Sequence, residues 1–80
     1  MARYGVSTRL LPEEIIRQAM AFFGHRGLGL EVTDRSQCCA HFEGGGGYVS
    51  VTVSEGKKTE VELVTREWDE DVKRFMRQIA

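Results

Sequence analysis

The sequence predicts an α+β fold: a two-layer sandwich in the order β-α-β-β-β-β-α, an antiparallel meander sheet with both helices on one face. Three observations predict it. Between Leu28 and Thr65 the chain repeatedly alternates apolar and polar residues, the period of a half-buried strand. Turn-forming residues punctuate that block at Asp34-Arg35-Ser36, at Gly44 to Gly47 and at Glu55-Gly56-Lys57. An amphipathic helical pattern stands on either side of it. Each strand has one apolar side, so only that side is covered, and both helices must share it.

The elements follow in order. Tyr4, Val6, Thr8 and Leu10 alternate with Arg3, Gly5, Ser7 and Arg9, a pattern that suits an edge strand. Pro12 is a good first helical residue, because the N–H it lacks would have no partner there. Glu13 and Glu14 then meet the positive end of the helix dipole. Ile15, Ile16, Ala19, Met20, Phe22 and Phe23 form the apolar stripe of a helix over Pro12 to Phe23, with Gly24 as a left-handed C-cap and His25 beside its last carbonyls. In the strands that follow, Leu28, Leu30 and Val32 share one face, as do Cys38, Ala40 and Phe42, then Val49, Val51 and Val53, then Val61 and Leu63. Thr65 is a candidate N-cap for the last helix. In that helix Val72, Phe75, Met76 and Ile79 recur at helical spacing, and Trp68 closes the end of the core.

Pairing can be written down from the turns. A turn at Asp34 to Ser36 sets Val32 opposite Cys38 and Glu31 opposite Cys39. The glycine run sets Glu43 opposite Tyr48, Phe42 opposite Val49 and His41 opposite Ser50. A turn at Glu55 to Lys57 sets Val51 opposite Val61 and Ser50 opposite Glu62. All three arrangements keep apolar residues facing apolar residues.

Composition narrows the function. Eighty residues make one domain, residues 1–80, with roughly 60% of the unfolded chain's surface buried and little volume to spare for a cavity. Eleven basic residues against twelve acidic ones give a net charge of -1, which argues against nucleic acid as a partner. No apolar stretch is long enough to cross a bilayer, and the first residues have no apolar core of a secretory signal, so no membrane association is expected. Cys38 and Cys39 are neighbours, a pairing that strains a disulfide, so two reduced thiols in a cytoplasmic protein are expected.

This element order resembles the half-domain of the TATA-box-binding protein, and also a shortened helix-grip fold of the START-like ligand-binding superfamily. The stretch Val6-Ser7-Thr8-Arg9-Leu10-Leu11-Pro12-Glu13-Glu14-Ile15 is similar to the strand followed by a Pro-Glu-Glu helix start common in START-like proteins. The resemblance implies the fold, and for the START-like case a small apolar ligand between sheet and helices. The chain lacks the extra strands and long second helical segment that enclose the START-like cavity. Where the DNA-binding half-domain presents aromatic wedges, this chain presents Glu31, Glu43, Glu60 and Glu62. No functional residue is carried over.

Candidate chemistry is sparse. Cys39 and His41 share the polar side of one strand, near Ser50, Glu62 and Glu31, a set that resembles a zinc or nucleophile–base group. One close ligand pair on an open sheet face is more simply a polar surface, so no metal, cofactor or catalytic residue is assigned. The run Gly44 to Gly47 joins strand to strand and lacks the Lys-Ser/Thr of a phosphate loop, so it reads as a flexible hairpin tip that needs positive φ. The residues that remain for contact are on the uncovered face: Cys39, His41, Tyr48, Ser50, Glu62 and Val64. The expected function is a non-enzymatic protein-interaction or regulatory module, self-associating through a free sheet edge or this face. A small apolar ligand is the alternative.

Overall fold

The computed structural model describes residues 1–80. Its elements are β1 (Ala2–Thr8), α1 (Pro12–Phe23), β2 (Glu31–Arg35), β3 (Cys39–Gly44), β4 (Gly47–Glu55), β5 (Thr59–Arg66) and α2 (Asp69–Ile79). They build one five-stranded antiparallel sheet in the order β1-β5-β4-β3-β2, leaving β1 and β2 as its edges. Helix α1 lies across β3 and β4, and α2 across β5 and β1, on the same face. The fold is the α+β two-layer sandwich the sequence predicts.

The core is the layer between sheet and helices. Ile15, Ile16, Ala19 and Phe23 from α1, with Val72, Phe75 and Ile79 from α2, meet Phe42, Val49, Val51, Val61 and Leu63 from the sheet, all buried. Phe23 touches both Phe42 and Phe75, at ring centroid distances of 5.4 and 5.2 Å. Burying each such ring contributes roughly 1.5–3 kcal/mol. Buried Thr8 donates its hydroxyl to the Ile79 carbonyl at 2.5 Å, which satisfies a helix-end acceptor and ties β1 to α2. No buried side-chain polar atom lacks a partner.

Several local expectations are corrected. Residue Thr33 is bulged out of the β2–β3 ladder, so Val32 pairs with Phe42 and Glu31 with Glu43, not with Cys38 and Cys39. Strand β2 therefore starts and ends later than Leu28–Thr33, and its turn moves to Gln37–Cys38, closed by the Ser36 N–H to the Cys39 carbonyl at 2.8 Å. Cys38, expected on the apolar face, is exposed in that turn. Between β4 and β5 the pairing is two residues off the expected one: Val53 faces Val61, Val51 faces Leu63 and Ser50 faces Val64.

Three end-of-element expectations are also corrected. Thr65 does not cap α2; it stays in β5, fully buried, and donates to the Tyr48 carbonyl at 2.8 Å. Trp68 takes the N-cap position, reached through Glu67 at φ 77. Gly24 is not left-handed but has φ -75, and the reversal occurs at Gly29, φ 83. His25 is exposed and is not needed as a cap, because the N–H groups of Gly24, Leu28 and Leu30 take the carbonyls of Met20, Phe22 and Phe23.

Candidate functional site

The helices leave one face of the sheet open, and the six residues nominated from sequence all lie on it. Alternation along each strand places them there, and pairing sorts them into cross-strand rows. One row runs Glu31, Glu43, Tyr48, Arg66. The next runs Asp34, His41, Ser50, Val64, Arg3. A third runs Cys39, Thr52, Glu62, Gly5. Cys39, His41, Tyr48, Ser50 and Val64 are half-buried by their neighbours and form the centre of the face, while Glu62 is exposed at its rim.

Within the centre, the His41 ring stacks on Tyr48 at 5.6 Å and 25°, and its Nε2 lies 3.2 Å from a Glu43 carboxylate oxygen. The carboxylate beside His41 is therefore Glu43. Glu62 lies beside Thr52 and Gly5, and Arg3 reaches it at 3.3 Å. Glu31 lies opposite Glu43, away from Cys39. The Cys–His–Glu grouping suggested by sequence is thus separated into different rows, and no three His, Cys, Asp or Glu side chains converge as a metal set.

The edges differ from each other. Strand β1 offers seven residues without a proline or bulge and with a single charged side chain, Arg3, which is paired to Glu62. Strand β2 is five residues long, bulged at Thr33, and carries Glu31, Asp34 and Arg35. Bulges and charges are what proteins use to blunt an edge.

The β3–β4 hairpin tip is anchored. Gly45 and Gly46, at φ 59 and 79, form a two-residue turn of the mirror-image type that only glycine adopts without cost. Trp68 donates its indole N–H to the Gly44 carbonyl at 2.9 Å and lays its ring against Gly45. The tip is therefore tied to the start of α2, where sequence suggested a flexible one.

Sequence reading missed Cys38 as a surface residue. Its Sγ lies 2.7 Å from Cys39 Sγ and 3.6 Å from Ser36 Oγ. It also lines a cleft of about 810 Å³ between the start of α1 and the β2–β3 turn, together with Leu11, Pro12, Ile16, Arg35 and Val53. The contact with Cys39, then that with Ser36, holds the Cys38 pKa below that of an ordinary thiol; the contact with Cys38, then burial, raises that of Cys39.

No helix is long and apolar enough to cross a membrane. No protein-family model, no curated protein and no solved structure matches this chain.

Proposed function

We propose that this chain is a non-enzymatic interaction module that self-associates by pairing β1 with β1 of a second copy, in a reducing compartment such as the cytoplasm. The observation that carries this reading is the unblunted β1 edge opposite a blunted β2 edge. An antiparallel pairing centred on Gly5 uses the whole strand. It sets Tyr4 opposite Val6 on the helix side and Arg3 opposite Ser7 on the open side. Ser7 holds Glu60 at 2.6 and 2.8 Å, so Arg3 of each copy comes beside a carboxylate of the other. The product is a ten-stranded sheet with the half-buried open faces of the two copies joined into one surface.

The test is sedimentation velocity over a micromolar concentration series, on the wild type and on Gly5→Lys. A Cβ at Gly5 meets only the Val61 carbonyl, at 3.9 Å, and Glu62 stands opposite, so the added ammonium suits the monomer. Across the two-fold it faces its own copy, which is how edge lysines prevent pairing. A concentration-dependent wild-type dimer and a monomeric variant are expected. A wild-type monomer throughout, or a dimer indifferent to the substitution, contradicts the reading.

A second reading, a carrier of a small apolar ligand, has one supporting observation: the cleft at the end of the sandwich, with Leu11 59% exposed on its rim. The resemblance to helix-grip domains points the same way, although the layer between sheet and helices is filled by Phe23, Phe42 and Phe75. A rise in melting temperature with fatty acids or flat aromatics, abolished by Leu11→Glu, is expected on this reading.

A further inference from the structure

We propose that Cys38 and Cys39 form a hydroperoxide-reactive pair, in which Cys38 is the attacking sulfur and Cys39 resolves it to an internal disulfide. On a regular strand, adjacent side chains point to opposite faces and two neighbouring thiols cannot meet. Here the chain avoids that constraint. Cys39 is the first residue of β3, whereas Cys38 lies in the turn closed by Ser36, with its carbonyl accepting the Val53 N–H at 2.8 Å and its side chain at the open end of the sandwich beside Ile16 and Pro12. At this strand end the two sulfurs lie 2.7 Å apart. A covalent S–S bond is about 2.05 Å long, so closure requires a small movement of a turn residue.

The two thiols are not equivalent. Cys38 is exposed and opens on the cleft beside Pro12, Ile16 and Arg35, while Cys39 is half-buried on the sheet. The contacts with Cys39 and Ser36 favour the thiolate form of the exposed Cys38, the form that acts as a nucleophile. An exposed, thiolate-favouring cysteine beside a second thiol is the arrangement found in peroxide-responsive sites.

The chemistry balances with a hydroperoxide as oxidant. The Cys38 thiolate attacks one peroxide oxygen; an S–O bond forms, the O–O bond breaks, and the departing alkoxide takes a proton to leave as an alcohol, or as water from hydrogen peroxide. Sulfur is oxidised by two electrons to a sulfenic acid as the peroxide is reduced. Cys39 sulfur then attacks Cys38 sulfur; the S–S bond forms, the S–O bond breaks, and hydroxide leaves as water with the proton of Cys39. The ring so closed spans one peptide bond and is strained, which makes it readily reducible by a dithiol and hence reversible.

Cys39 is on β3, with β5 and β4 between it and β1, so the fate of the pair does not depend on self-association. The full chain, reduced and desalted, is treated with one equivalent of hydrogen peroxide and read by intact mass and peptide mapping. Loss of two hydrogens, a bond located between Cys38 and Cys39, and recovery with dithiothreitol are expected. With Cys39→Ser the reaction should stop at a sulfenic acid on Cys38, trapped by dimedone. With Cys38→Ser the remaining thiol should react at least about tenfold more slowly. The wild-type experiment decides even if a variant does not fold: sulfinic or sulfonic acid without an internal bond, a disulfide between chains, or equal reactivity of the two thiols overturns the proposal.

Discussion

Trp68 and the glycine tip show how much one residue can settle. A Cβ at Gly45 would lie 2.8 Å from Trp68 Cζ2, whereas a Cβ at Gly46 meets nothing within 4 Å. Both positions have positive φ, which costs a non-glycine residue roughly 1–2 kcal/mol. Gly46→Ala should therefore cost about that much, and Gly45→Ala should cost about 1–3 kcal/mol more from the clash, in urea unfolding. Equal costs would show that the indole does not pack on the tip. The need for positive φ was legible in the glycine run, because no other residue supplies it cheaply. The anchoring of the tip was not, since it depends on an indole twenty-odd positions away. Cys38 was misread as covered because alternation assigns a side but not where the cover ends: it lies beside Pro12 and Ile16 at the open end of the sandwich and is exposed.

At the scale of elements, β1 is held by its neighbours more than by its own sequence. Tyr4 donates its hydroxyl to Asp69 at 2.7 Å, linking β1 to the first turn of α2, and Lys73 Nζ lies 5.9 Å from its ring centre. That hydrogen bond, then partial burial and the charges of Asp69 and Glu70, raises the Tyr4 pKa above its ordinary value of 10.0. A pKa raised by folding means that the stabilisation is complete below about pH 10 and is lost as pH rises through the folded value. Tyr4→Phe should lower the melting temperature at pH 7 and flatten its fall in the alkaline range. A variant as steep as the wild type above pH 10 would contradict the link. Strand pairing was legible to different depths. The β3–β4 register followed from the four-glycine run, because shortening that symmetric loop to Gly45-Gly46 leaves Glu43 opposite Tyr48. The β4–β5 register was missed by two residues because alternation defines pairing only to the nearest even shift: Val51 or Val53 opposite Val61 keeps the same face inward. The bulge at Thr33 has no signature in the alternation at all.

For the whole molecule, the one-sided pattern of the strands forces the helices together, and this global feature was fully legible. Apolar rows at Val49, Val51, Val53 and at Val61, Leu63 admit one covered face, and two amphipathic helices are the only cover available. A two-layer domain of 80 residues so built has an open sheet face and two edges. The charges on β2 are legible in the sequence, but its place at the edge, its short length and its bulge come only from the structure. The central claim, that β1 is the joining edge, is tested most directly by amide hydrogen exchange measured on both sides of the association concentration. The outward amides of β1 should exchange quickly when dilute and slowly when concentrated, while those of β2 remain fast at both. Concentration-dependent protection of β2, or of the open face with β1 unchanged, would contradict it.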